Sequence, residues 1–287
     1  MNSLMAMFRF EWKRLMTPGR SFWWLVVAAF PVLILILIQE FSPITDVSEW
    51  QDILGSDRGI PPWEGNIDAA EAQQHIDTLL TVALYFLAPS IACMLGSLLT
   101  AAPSVASELE QHSFTYIATR PNGLFHLVIG KYLVAFLWSA TATMAGLGVA
   151  LYLAKIAGKT EATWALMGVS VLSAMAYSAL FMMIGTLFHQ RAMMFCVAYT
   201  AGVELFLGFF PAVINRFTIQ YRLRSLLFDW TTQSDEIRES KILDFVAASE
   251  GPMLQVLWLV SLTALFLAIS LVSVHVREFT SAAESDI

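Results

Sequence analysis

The amino-acid sequence predicts an all-α integral membrane protein. It has six transmembrane helices, an interfacial helix at the N-terminus and a short cytoplasmic helix between spans two and three, all in one domain over residues 1–287. Three observations carry this reading. The hydrophobic set makes up 57% of the chain and charged residues only 14%, against roughly 45–50% and about 25% in water-soluble domains, too little polar surface to cover a globule of this size. Mean hydropathy is +0.65. Apolar runs near the length that crosses a hydrocarbon core of about 30 Å recur along the whole chain. A soluble enzyme is excluded, and the recurrence of the runs, with no small-residue cleavage site after the first basic segment, argues against a removable signal peptide.

Residues 3–16 predict a helix ahead of the membrane. Leu4, Met7, Phe8, Phe10, Trp12 and Leu15 interleave with Arg9, Glu11, Lys13 and Arg14, and Thr17-Pro18-Gly19 ends the run. That mixture suits a helix lying along the cytoplasmic leaflet. Spans follow at about 21–38, 78–101, 127–154, 164–188, 192–214 and 253–276. Pro31, Pro89 and Pro211 fall inside the first, second and fifth, where a membrane helix tolerates proline as a kink. Small residues at four-residue spacing, Ala142, Gly146, Ala150 and Ala154 in the third span and Ser170, Ala174 and Ser178 in the fourth, predict close helix packing in lipid.

Arg9, Lys13, Arg14 and Arg20 precede the first span, and residues 39–77 after it carry nine acidic residues against Arg58. The positive-inside rule places the N-terminus in the cytoplasm and the acidic loop outside, and six spans return the C-terminus to the cytoplasm. A rival layout makes 192–214 a re-entrant segment, which leaves 215–252 in the cytoplasm and the C-terminus outside. Within the loop 215–252, Ile219, Leu223, Leu226, Leu227 and Trp230 recur at helical spacing beside Arg216, Arg222 and Arg224; this predicts an amphipathic helix at a membrane face.

Net charge is −7 with a pI near 5.2, without the clustered basic face that nucleic acid requires. Cys93 and Cys196 both lie in apolar runs and read as small buried hydrophobes with no disulfide or metal role. Gly158-Lys159-Thr160 ends like a phosphate-binding loop, but Leu153 stands where its first glycine belongs. No zinc-protease motif and no nucleophile elbow is present. The chain is therefore expected to bind no cofactor and to catalyse no reaction alone. Glu204 is the acidic residue deepest in a predicted span. An ionisable group there is costly, and it reads either as a substrate or proton site on a transport path or as a protonated or hydrogen-bonded packing residue against His189, Arg191 or Tyr199 at a helix interface, with Tyr199 in the same span and His189 and Arg191 near its cytoplasmic end.

The segment joining spans two and three is the most informative. From about 104 to 118 it predicts a short cytoplasmic helix with Glu108 and Glu110 near its start, where the helix dipole favours negative charge. Leu109, Ser113 and Tyr116 fall on one side with Phe114 and Ile117 beside them, and Arg120-Pro121 ends it. Such a helix offers an exposed acidic and aromatic surface continuous with two membrane helices. The order Ser107, Glu108, Glu110, Ser113, Arg120, Pro121, Gly130, Lys131, Tyr132, together with Phe10-Glu11-Trp12-Lys13-Arg14-Leu15 and Pro18 before the first span, resembles the ATP-binding-cassette type-2 permease family over essentially the whole chain. The chain departs from that pattern at Leu109 and His112.

The resemblance implies a permease subunit of an exporter for a hydrophobic or membrane-associated substrate, in a bacterial inner membrane. ATP is expected on a separate cytoplasmic ATPase subunit, docked on the N-terminal helix and on the helix between spans two and three, with Glu108, Glu110, Phe114, Arg120 and Pro121 carrying the coupling. A second permease copy completes the working unit. Two other classes compete: a membrane scaffold or assembly factor that uses the same coupling to act on a partner protein, and an ion-coupled carrier using Glu204, for which no inverted repeat is visible.

Overall fold

The computed structural model describes residues 3–41, 69–110, 122–154, 160–206, 218–231 and 251–276, almost all of them helical. Helix α1 (Ser3–Leu15) precedes α2 (Pro18–Phe41). Helix α3 (Ala69–Tyr85) passes through a π-helical turn, Phe86–Ala92, into α4 (Cys93–Glu110). Next come α5 (Gly123–Leu153) and α6 (Thr160–Leu187). After a short 3₁₀ turn at His189–Arg191 the chain forms α7 (Ala192–Tyr199) and a second π-helical turn, Thr200–Phe206. Helices α8 (Ile219–Trp230) and α9 (Pro252–Val276) complete the described chain.

Among the described residues five stretches are long and apolar enough to cross a membrane: 18–40, 76–108, 123–153, 161–187 and 252–276. The molecule is an integral membrane protein. Of the predicted fifth span, 192–214, the described part is α7 and its π-helical turn, and residues 207–214 lie outside the described residues. Of the acidic loop expected over 39–77, residues 42–68 lie outside them too, while 39–41 end α2 and 69–77 belong to α3.

Helices α4, α5 and α6 form the centre of the bundle. Gly146 shows why small residues line it: a Cβ there would sit 2.1 Å from the Ala28 carbonyl oxygen and 3.0 Å from Pro31 Cγ, so only glycine lets α2 and α5 meet at this point. Gly185 does the same for α6 against α4, with a Cβ 2.3 Å from the Ala102 oxygen. The predicted small-residue stripes are buried throughout, which supports their packing role. A seam of small polar groups ties the same helices. Ser97 Oγ lies 3.0 Å from Ser139 Oγ, and Ser178 donates to Ser97 at 3.3 Å. Ser139 donates to the Cys93 carbonyl at 3.1 Å, and Ser173 to the carbonyl of Pro89. Pro89 sits within the first π-helical turn, a usual site for a widened helix.

These contacts also give direction. Pro89, Ser97 and Ala102 meet Ser173, Ser178 and Gly185 in rising order, so α4 and α6 run parallel. Lys131 meets Glu108 while Ser139 meets Cys93, so α5 runs antiparallel to α4. Helix α2 runs parallel to α5, with Trp24 donating to Thr141 at 3.3 Å and Ala28 at Gly146. This alternation is that of consecutive membrane crossings. Helices α2 and α9 are peripheral, with 22% of their most apolar window buried against 67% for 76–108 and 161–187. Phe22, Trp23, Leu33, Leu257 and Leu265 are among the large side chains they leave exposed.

Candidate functional site: an ion cluster at one end of the bundle

Helix α1 presents Phe8, Glu11, Trp12 and Leu15 on one stripe at helical spacing. Glu11 and Leu15 are buried, and the rings of Phe8 and Trp12 stack at 5.9 Å. The stripe packs on α5, where Gly130 allows close approach: a Cβ there would lie 3.2 Å from Met7 Cγ. The next residue, Lys131, points its ammonium at two carboxylates, Glu11 Oε1 at 3.0 Å and Glu108 Oε1 at 3.2 Å. Arg14 completes the group from α1, with Nη1 2.5 Å from Glu108 Oε1 and 3.9 Å from Glu11 Oε1. Side-chain exposure is only 2% for Lys131, 7% for Glu11 and 9% for Glu108. Two acids and two bases thus neutralise one another in a largely dry setting, where the mutual attraction offsets a large desolvation cost.

Two features of the sequence reading change here. Glu108 and Glu110 were expected near the start of a helix beginning at about 104; instead, α4 continues unbroken from Cys93 and they occupy its last turn. The helix continues through Pro103, and the hydroxyls of Thr100, Ser104 and Ser107 bond back to carbonyls of the preceding turn. The helix dipole at that end opposes a carboxylate, and Arg14 with Lys131 supplies the compensation. Glu108 was also expected on an exposed acidic surface, but it is 7% exposed and faces inward to α1 and α5. Phe114, Arg120 and Pro121 lie outside the described residues. The chain re-emerges at Asn122, whose φ of 56° is the left-handed turn into α5.

Glu11 and Arg14 were read only as part of an amphipathic helix. The available signal was the position of Glu11 between Phe8 and Leu15 on the apolar stripe, which marks a carboxylate destined for burial and hence for a partner.

Glu204 sits elsewhere. It is 2% exposed, and its carboxylate accepts four hydrogen bonds: from the hydroxyls of Tyr177 at 3.0 Å and Tyr199 at 3.2 Å, and from the backbone N–H groups of Ile219 at 3.3 Å and Gln220 at 3.2 Å. Those two amides open α8, so Glu204 caps a helix N-terminus from another element, next to the Thr218 hydroxyl that accepts from the Tyr221 amide at 3.2 Å. Of the two readings of Glu204, the hydrogen-bonded packing residue is the one this geometry favours. Tyr85 adds to the same network, its hydroxyl 3.0 Å from Gln220 Oε1.

Helix α8 is not the surface helix its spacing suggested. No residue from Thr218 to Thr231 is exposed; the helix is wedged against α6 and α9. Trp230 covers Gly168, where a Cβ would lie 2.8 Å from its ring. Arg222 is buried, donates to Gln255 Oε1 at 2.8 Å and lies 5.2 Å from the Trp258 ring. The polar face that spacing assigned to lipid headgroups is taken up by tyrosine, glutamine and tryptophan of neighbouring helices, partners that no local pattern could show.

Both cysteines are free and buried. Among the described residues no group of three or more His, Cys, Asp or Glu side chains is placed to hold a metal ion. Compared with known protein families, characterised proteins and solved structures, the chain matches none.

Proposed function

We propose that the chain is the membrane-spanning permease subunit of an ATP-binding-cassette exporter for a hydrophobic or membrane-associated substrate. It is driven by a separate cytoplasmic ATPase subunit and works with a second permease copy in a bacterial inner membrane. The observation that carries this reading is the ion cluster. It fastens α1 to the end of α4 and to the start of α5, the two helices that flank residues 111–121. A force delivered to that connection would move three helices together, which is what a motor outside the membrane needs.

The layout is six spans with both termini cytoplasmic. Gly185 meets Ala102, so α6 ends on the ion-cluster side. Helix α8, by contrast, meets Gly168 and Tyr85, toward the opposite ends of α6 and of the 76–108 span. From that end the chain climbs along α6, with Cys196 against Phe181 and Glu204 against Tyr177, where Glu204 meets the N-terminus of α8, and α8 continues the climb to Trp230 over Gly168. This favours a sixth crossing over the rival layout, in which 215–252 would share a side with α1. A cysteine placed at position 235 should react with a membrane-impermeant reagent from outside; labelling only from the cytoplasm would restore the rival.

The test of coupling separates it from folding. Because Glu108 also holds α1, the informative variants are Phe114→Ala and Arg120→Glu, made with Glu110→Lys. Each should insert and melt like the parent while losing co-purification with the soluble protein, encoded beside this chain, that has a complete phosphate-binding loop. Undiminished co-purification, or the lack of any such ATPase, would remove the basis for the exporter reading.

A further inference from the structure

A small cavity opens beside the ion cluster, between α1, α2, α4 and α5. It measures about 60 Å³ and is lined by Glu11, Arg14, Arg20 and Lys131 on its polar side and by Leu99 and Val134 on its apolar side. Solute-binding pockets run to roughly 300 Å³ and more, so this one suits a single compact group. Its charge is unbalanced. Its lining carries three cations, Arg14, Arg20 and Lys131, against the single carboxylate of Glu11, and of the three Arg14 and Lys131 also lie within ion-pair distance of Glu108. Arg20 is exposed, at the first turn of α2, where its guanidinium can close the mouth of the cavity over an anion.

The depth is that of lipid headgroups. Helix α5 has 31 residues, about 46 Å at 1.5 Å per residue, against a hydrocarbon core of about 30 Å. Lys131 is two turns inside its start, at the edge of the hydrocarbon. The polar wall therefore faces the headgroup layer while Leu99 and Val134 face the acyl region. Exposed Met5, Phe10 and Met16 on α1, beside exposed Arg9 and Lys13, put the same boundary on that helix.

We propose that this cavity binds the phosphate of one anionic phospholipid from the adjoining leaflet. The phosphodiester would neutralise the surplus charge through a charge-assisted contact with Arg20, and the lipid would become a structural part of the joint between α1 and the spans. Basic pockets between membrane helices recognise anionic headgroups on these grounds. The assignment stands whether or not an ATPase docks on this side.

The experiment uses the full chain in nanodiscs of phosphatidylcholine with and without phosphatidylglycerol. Lipid retention is counted by native mass spectrometry and stability followed by thermal melting. The parent should retain one phosphatidylglycerol per chain and melt higher in its presence. Arg20→Gln should bind it about tenfold more weakly, and Ser104→Asp, which places a carboxylate in the cavity wall, should abolish retention. Lys13→Gln, a loss of equal charge on the exposed face of α1, should change neither. Equal retention by the parent and Arg20→Gln would overturn the proposal. So would equal stabilisation by inorganic phosphate in pure phosphatidylcholine, which would make the cavity a site for the free anion.

Discussion

Replacing Lys131 with methionine tests whether the ion cluster holds the N-terminal helix in place. Methionine keeps the length and apolar bulk of the side chain and removes the charge. The ammonium it deletes lies within 3.2 Å of two carboxylates whose side chains are 7% and 9% exposed. Breaking a buried pair by removing one partner costs about 3–5 kcal/mol. Arg14 keeps its contact with Glu108 at 2.5 Å and is 30% exposed, so Glu108 stays paired and the loss falls mainly on Glu11, whose remaining cation is Arg14 at 3.9 Å. The expected cost is therefore at the low end, about 3 kcal/mol, or a drop of about 5 °C in melting temperature.

Thermal melting in nanodiscs measures it, and hydrogen exchange over residues 3–15 reports whether α1 is released. Lys13→Met, on the exposed face of the same helix, should stay within about 0.5 kcal/mol of the parent. Restoring neutrality by combining Lys131→Met with Glu11→Gln should recover much of the stability, a coupling that a double-mutant cycle reads directly. A Lys131→Met protein that melts with the parent and exchanges no faster in α1 would refute the reasoning. It would mean that water, and not the lysine, solvates these carboxylates.

Three further outcomes follow from the packing. Gly146→Ala should destabilise the protein by about 1–3 kcal/mol as an overpacked contact, since its Cβ meets the Ala28 carbonyl at 2.1 Å, whereas Gly148→Ala, with nothing within 4 Å, should be neutral or stabilising by up to about 1 kcal/mol; equal melting temperatures would refute the close α2–α5 approach. Arg222→Met should cost about 1–3 kcal/mol through the Gln255 acceptor left behind, and melting of the variant against Gln255→Leu alone checks it. Glu204→Gln should accelerate hydrogen exchange at residues 219–223 and lower stability by about 1–3 kcal/mol, because an amide NH₂ now faces donors that the carboxylate accepted from; unchanged exchange with lost transport would instead place Glu204 on a substrate path.

The membrane class, the positions of most spans and the small-residue seams were legible because they depend on local composition and on period. The predicted spans 127–154 and 164–188 differ from α5 and α6 by only a few residues at their ends. The roles of individual charges were far less legible, for one physical reason: a charge is interpreted by its partners, and the partners are distant in sequence. Glu108 and Arg14 are 94 residues apart, and Tyr85 and Gln220 are 135 apart. A Glu at position 108 looks like a dipole-stabilised helix start until the helix containing it is seen to begin at Cys93. Arg222 looks like a headgroup anchor until Gln255 and Trp258 are seen beside it. Only Glu11 carried a local warning, through its place in an apolar stripe.

The division between what is rigid and what is fastened bears on how such a molecule could work. The contacts joining α4, α5 and α6 are backbone approaches at glycine and short serine bonds among fully buried groups. Sliding them means opening voids with no partner atoms, so the central helices resist relative motion. Helices α1 and α8 add to their apolar packing a set of charged or strongly polar contacts: Glu11, Arg14, Glu108 and Lys131 for α1, and Glu204 with two tyrosine hydroxyls for α8. Such contacts can be exchanged for others of equal strength, which packed methylenes cannot. Work applied beside the ion cluster would therefore tilt the central helices as a body and strain the polar fastening of α8, which meets α6 at Tyr177. If the chain works as proposed, the two polar sites are expected to be mechanically coupled. The double variant Lys131→Met with Glu204→Gln tests this. If the central helices transmit load as a body, the two costs to stability should depart from additivity by more than about 0.5 kcal/mol although the sites share no partner. Strict additivity would leave them as separate fastenings.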